Sequence, residues 1–158
     1  MRVWLLVVGR PGALFTEAVA EYEKRAARYW NFESVEVKEE RAHKGLDEEQ
    51  IREAESHRLL ERVPTGADVL ALTRDGQPWS SADLARYFES LAMSGRNGAA
   101  FLIGGALGLS ATALRQANKQ ISLSAMTLTH EMARVLLTEQ IYRAGTIARG
   151  EPYHKARR

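Results

Sequence analysis

The 158-residue chain contains no cysteine, which excludes a disulfide framework and a thiolate metal site and makes a reducing cytoplasm the expected setting. It also lacks any apolar run near 18 residues, so no transmembrane helix is expected. The nearest approach, Val3 to Val8 in MRVWLLVVGRPG, ends at Gly9 after six apolar residues and carries no small-residue cleavage site. It reads as a buried first strand rather than a secretory leader. The four histidines, His43, His57, His130 and His154, show no paired ligand spacing, so no metal centre is expected. No GxGxxG, GxxxxGK(S/T) or GxSxG sequence occurs, which leaves dinucleotide, triphosphate and serine-nucleophile sites unsupported.

What is present fits one compact domain over residues 1–158, enough to bury a core but too short for separate catalytic and substrate-binding domains. The net charge of +2 is unevenly spread. Residues 33–62 hold ten acidic and six basic side chains, whereas 96–158 hold nine Arg or Lys against three Glu. The C-terminal part is therefore the better face for a polyanion, although basic residues near a chain end also serve simply to solvate it.

Apolar runs and periodicity predict alternating strands and helices. Arg2 to Gly9 is an uninterrupted apolar strand of the kind covered on both faces. Phe15, Val19, Tyr22, Ala26 and Tyr29 recur at three and four, giving a helix from about Leu14 to Trp30. A strand at Phe32 to Val37, a charged loop at Glu39 to Leu46 and a helix at about Asp47 to Arg62 follow. Asp68 to Thr73 reads as a third strand, closed by an Asp75-Gly76 turn. Ser80 with Asp83 forms a capping box for the next helix. Ala99 to Ile103 is a fourth strand, Ala111 to Asn118 a helix and Ile121 to Met126 a fifth strand. Thr129 caps a long helix over His130 to Ala148, and Gly150 to Arg158 is an aperiodic tail. The pattern predicts an α/β fold with a mainly parallel sheet flanked by helices.

In such sheets ligands bind beyond the C-terminal strand ends, which selects the loops after Leu72, Ile103 and Ser124. Gly104-Gly105-Ala106-Leu107-Gly108 lets backbone approach a ligand closely, although a structural turn is an equally good reading. A polar set lies on the last helix and tail: His130, Arg134, Glu139, Tyr142, Arg143, Tyr153, His154 and Lys155. Glu139 and Arg143, four apart, are explained by simple pairing. Tyr153-His154-Lys155 is not, and an aromatic, a base and a cation together suit stacking on a nucleobase, proton transfer and phosphate contact.

Several segments carry a resemblance: FLIGGALGL at Phe101 to Leu109, SLSAMTLTHEMARV at Ser122 to Val135, EQIYRA at Glu139 to Ala144 and RGEPYHK at Arg149 to Lys155. Together they resemble the bacterial ribosomal RNA large subunit methyltransferase H family of the SPOUT superfamily, over essentially the whole chain. The weaker LLVVGR and the Gly and Trp of DGQPW agree. The resemblance implies methyl transfer from S-adenosylmethionine to N3 of a pseudouridine in 23S ribosomal RNA, on the assembled ribosome. It further implies a C-terminal deep trefoil knot, with knot and cofactor site within about residues 70–158, and a homodimer in which one subunit's tail completes the other's site. By resemblance the cofactor lies against Leu72, Gly104, Gly105 and the loop Leu123, Ser124, Ala125, Met126, Thr127 and Leu128. Two departures stand out: Ala106-Leu107 replaces the Pro-Glu or Ser-Glu of many relatives, and Thr129 stands where a Pro commonly precedes the histidine.

On that footing His154 is the expected proton acceptor. Arg134 and Arg143 are expected to steady an imide anion or hold phosphate, and Tyr153 completes the catalytic set. The rival expectations are a non-catalytic ribosome-binding factor, a 2′-O-ribose RNA methyltransferase of the same superfamily and a flavodoxin-like nucleotide module.

Overall fold

The computed structural model describes residues 1–41 and 45–155; part of the expected Glu39 to Leu46 loop and the last three residues of the tail lie outside them. The order of elements is β1 (Arg2–Val8), α1 (Thr16–Ala26), β2 (Asn31–Val37), α2 (Glu48–Glu61), β3 (Asp68–Pro78), α3 (Ser81–Ala92), β4 (Gly98–Ile103), α4 (Ala111–Gln116), β5 (Lys119–Ser122) and α5 (His130–Ala148), then a 3-10 turn at Pro152–Lys155. The strands form one sheet in the order β2-β1-β4-β3-β5, with every pairing parallel.

The β1 run is apolar on both faces because both are covered. Val3, Leu5 and Val7 join Phe101, Phe88, Leu137 and Ile141 in one core. Trp4, Leu6 and Val8 point the other way, into a second core with Leu59, Val69 and Leu102. Alternation along a strand thus divides the molecule into three layers: α1, α3 and α5 on one face of the sheet, α2 and α4 on the other.

The helix starts follow their local signals. Ser80 and Asp83 form the expected capping box, as do Asp47 and Gln50 at α2, and Thr129 accepts from the Met132 backbone N–H at α5. Other boundaries differ from expectation. Leu14 lies outside α1 and is 87% exposed, because the chain first turns at Gly12, whose carbonyl accepts from the Phe15 N–H at 2.9 Å. At its other end α1 stops at Ala26, short of Trp30.

Two larger differences shape the functional end of the sheet. First, β3 runs past the expected Asp75-Gly76 turn to Pro78. Its register against β5 jumps between Leu72 and Gln77, both of which face Ile121, so Thr73 to Gly76 bulge out of the ladder. Gly76 is required there, since a Cβ would stand 2.7 Å from the Ile121 backbone. Second, β5 ends at Ser122, whereas the sequence pattern carries it to Met126. Ser122 Oγ donates to the Ser124 carbonyl at 2.9 Å and Ser124 Oγ accepts from the Met126 N–H at 2.9 Å. These local bonds compete with the ladder and curl residues 123–128 off the sheet edge. Among the described residues, no helix is long and apolar enough to cross a membrane.

Candidate active site

The bulge of β3, the glycine turn after β4 and the curled loop after β5 converge on one cavity of about 360 Å³ at the C-terminal edge of the sheet. A volume of that size suits a small organic ligand. Its apolar walls are Leu72, Ile103, Leu109, Leu114, Leu123 and Leu128, and its glycine wall is Gly104, Gly105 and Gly108. Two of these glycines have no room for a side chain: a Cβ on Gly104 would stand 2.6 Å from the Gly108 carbonyl carbon. One on Gly105 would stand 2.9 Å from Glu55 Oε1.

Helix α2 holds that turn from behind. Ser56 Oγ accepts from the Ser110 N–H at 2.9 Å, and Thr112 Oγ1 donates to Glu53 Oε1 at 3.0 Å. Glu55 is only 5% exposed and accepts from the Glu40 N–H at 3.1 Å. Burial pushes its carboxyl above the usual carboxylate range, against the opposing effect of the Glu40 N–H. Polar groups at the mouth are few. Arg74 Nη1 donates to Thr127 Oγ1 at 3.0 Å, with Asp75 and His130 nearby on the wall.

Of the nine residues expected at a cofactor, Leu72, Gly104, Gly105, Leu123, Ser124, Met126, Thr127 and Leu128 line this cavity; Ala125 does not. Sequence reasoning missed Arg74, Asp75, Leu109, Leu114 and the supporting Glu55. The bulge that brings Arg74 and Asp75 to the rim depends on pairing with β5, which no local pattern records. Glu55 looked like one more acid on a charged helix.

A second constellation sits where the C-terminal half of α5 meets the tail. Glu139 accepts from Arg143 Nη2 at 2.5 Å and from the Tyr153 hydroxyl at 2.9 Å. The Arg143 guanidinium lies 4.8 Å over the Tyr153 ring, and that ring packs on Tyr142 at 4.6 Å. Burial, reinforced by the bond to Glu139, pushes the Tyr153 phenol up to about 12, so it remains a neutral donor at physiological pH. Arg143 is held more firmly cationic by the same carboxylate. His154 is half-buried on the 3-10 turn, and its Nδ1 has no hydrogen-bond partner among the described residues. The tail is tied down by Tyr29, whose hydroxyl donates to Glu151 Oε2 at 2.5 Å.

Arg143 and Tyr153 are thus brought together, with His154 next to Tyr153 in the chain, but none of the three lines the cavity. His130 stands at the cavity and Arg143 thirteen residues along the same helix, about 20 Å away at the α-helical rise. Arg134 joins neither place. It is 4% exposed, and its guanidinium donates to Glu36 at 2.6 Å, Ser34 at 2.8 Å and Glu23 at 2.9 Å. It fastens α5 to α1 and β2. Among the described residues, no group of three or more His, Cys, Asp or Glu is placed to hold a metal ion.

Comparison with known proteins adds four findings. Residues 1–154 match the model of a family described as predicted SPOUT methyltransferase. The chain is 48% identical over 156 residues to ribosomal RNA large subunit methyltransferase H of Gemmatimonas aurantiaca, covering 98% of this chain and 100% of that one. It is 39% identical over 159 residues to the protein of the same name from Listeria monocytogenes serotype 4b, with 98% and 100% covered. A crystal structure of a probable methyltransferase from Bordetella pertussis superposes with a TM-score of 0.57 at 17% identity, covering 91% of this chain and 96% of that chain. At that identity the likeness speaks for the fold alone.

Proposed function

The chain belongs to the SPOUT methyltransferase family and is a ribosomal RNA methyltransferase like its H-type relatives; from that premise we propose that it methylates N3 of a pseudouridine in 23S ribosomal RNA, using S-adenosylmethionine. We read residues 1–158 as one SPOUT domain with its cofactor site within about 70–158 and its C-terminal chain knotted as in that superfamily. A substrate on the ribosome places the work in the cytoplasm.

The observation that carries the donor assignment is the cavity itself. Leucine walls suit the adenine ring and methylene chain of a nucleoside thioether. The Gly104-Gly105 turn offers backbone at a distance no other residue allows. When bound, S-adenosylmethionine supplies a methyl group already activated by its sulfonium. The protein's own task is then alignment and proton removal, and positioning alone is worth several kcal/mol of barrier.

The tail supplies the second part. His154 accepts the N3 proton at Nε2, because its Nδ1 is buried away from any substrate. Tyr153, held neutral and oriented by Glu139, stacks on or donates to the base. Arg143 steadies the imide anion or a neighbouring phosphate. Arg134, buried among carboxylates, positions α5 and does not touch RNA.

Because cavity and tail lie at opposite ends of α5, this reading calls for a homodimer. A two-fold pair with α5 helices antiparallel brings the Arg143 end of one chain to the His130 end of its partner. Met132 and Leu136, one turn apart on α5, are exposed apolar side chains in the right place for such contact.

Labelled methyl transfer tests the proposal. Ribosomes from a strain deleted for this gene are compared with the same ribosomes lacking pseudouridine in the target loop. Label on N3 that disappears with the pseudouridine is the expected result. Label on a ribose 2′-hydroxyl contradicts the target atom, and cofactor binding without any label contradicts catalysis.

A further inference from the structure

The cavity wall is mostly apolar residues and glycine, and among the described residues Arg74 and Asp75 are the only Arg, Lys, Asp or Glu that line it. Both stand on the bulge of β3. The jump in register between Leu72 and Gln77 frees them from strand pairing, and Gly76, pressed on the Ile121 backbone, fixes the bulge's far end. Arg74 is further tied across the mouth to Thr127 Oγ1 at 3.0 Å, which spans the β3 bulge and the loop after β5. Its Nε lies 3.8 Å from Asp75 Oδ1. A cation and an anion are therefore presented side by side, at about the spacing of the two charges of an α-amino acid.

We propose that Arg74 and Asp75 form a clamp for the amino-acid end of the donor, Arg74 pairing with its carboxylate and Asp75 with its ammonium. This rests on the cavity being the S-adenosylmethionine site and assigns two further binding residues within it. An adenosine with a thioether chain satisfies the leucine and glycine walls but leaves a zwitterionic end. At the cavity mouth that end gives up part of its hydration, and charged partners there offset the loss. The guanidinium fork matches a carboxylate in two parallel bonds, and the Thr127 hydroxyl limits its wandering before ligand arrives. The side chains are exposed, so screening tempers the effect. The gain lies in selecting ligands with the amino-acid end intact over nucleosides that have lost it.

Titration calorimetry on the full chain tests the clamp with S-adenosylhomocysteine, its decarboxylated form and 5′-methylthioadenosine, which lacks the whole amino-acid end. For R74A we expect affinity for S-adenosylhomocysteine to fall about tenfold, as for loss of a charge-assisted bond near solvent. Affinity for the decarboxylated form and for methylthioadenosine should stay within about twofold of wild type. R74K should recover part of the loss, and D75N should weaken both compounds that carry the ammonium while sparing methylthioadenosine. Equal loss for all three compounds in R74A would show Arg74 shaping the cavity rather than meeting the carboxylate, and would overturn the clamp. Unchanged S-adenosylhomocysteine binding by R74A would overturn it as well. If the wild-type chain takes up none of the three, the donor reading falls together with the clamp.

Discussion

The cavity at the strand ends and the cluster at the tail are built by opposite means. The cavity is leucine side chains and glycine backbone, shaped by what the chain cannot place there. The cluster is Glu139, Arg143, Tyr142 and Tyr153, shaped by hydrogen bonds and stacked rings, with His154 beside it on the 3-10 turn. One suits holding a nucleoside-like ligand and the other suits handling a base and its proton. On the proposed function, the contrast means that binding and chemistry are encoded in separate stretches of one small chain, kept apart by α5 within a single copy.

The sharpest way to break this division is at His154. His154→Ala should lower turnover by roughly 10²- to 10⁴-fold, the range for a lost general base. Titration should meanwhile find S-adenosylhomocysteine binding intact. A matching loss of cofactor binding would mean the two regions are not separate. The converse change is Gly104→Ala. Its Cβ would meet the Gly108 backbone at 2.6 Å, and backbone cannot swing aside as a side chain does. Cofactor affinity should fall by at least about tenfold, because the Gly104–Gly108 turn must open.

Arg134 probes the helix that separates the regions. Arg134→Ala leaves Glu23 and Glu36 facing an empty site and should cost about 3 kcal/mol of stability, as for a broken buried pair. Denaturant unfolding measures this, and activity per folded molecule should survive. A selective loss of turnover at full stability would return Arg134 to the catalytic set.

The smallest effect concerns Glu55 behind the glycine turn. Its carboxyl is raised by burial, so its contribution to folding is fully present below the unfolded carboxylate range and is lost as pH rises through the folded value. Glu55→Gln removes that loss. Thermal melts should show it stabilised relative to wild type at pH 8 and little changed near pH 4. An equal shift at both would assign the effect to packing.

The two regions also differed in how readily their sequence disclosed them. The β1 run, the Ser80 and Thr129 caps and the span of α5 were readable because each is a local pattern. Strand β5 was misjudged, since Ile121 to Met126 has strand composition while Ser122 and Ser124 spend their hydroxyls on the local backbone. The Thr73 to Gly76 bulge was hidden because it exists only through pairing with β5. Arg134 was expected in the catalytic set, and its pairing with Glu36 and Glu23 could not be read locally because they lie 98 and 111 residues away. The loops after Leu72, Ile103 and Ser124 were selected by the strand-end rule and the tail trio by its residue types, and only the family resemblance attached a cofactor and a base to them.

Mixing subunits tests most directly whether one copy's cavity works with the partner's tail. Gly104→Ala chains, weakened in cofactor binding, and His154→Ala chains, weakened in turnover, are unfolded together, refolded at equal amounts and assayed for methyl transfer at a cofactor concentration that fills only intact cavities. A composite site predicts recovery to about a quarter of wild-type activity, since half the dimers are then mixed and each carries one intact site. Absence of any recovery in demonstrably mixed dimers would contradict the account, because it would mean that each chain's cavity depends on its own tail.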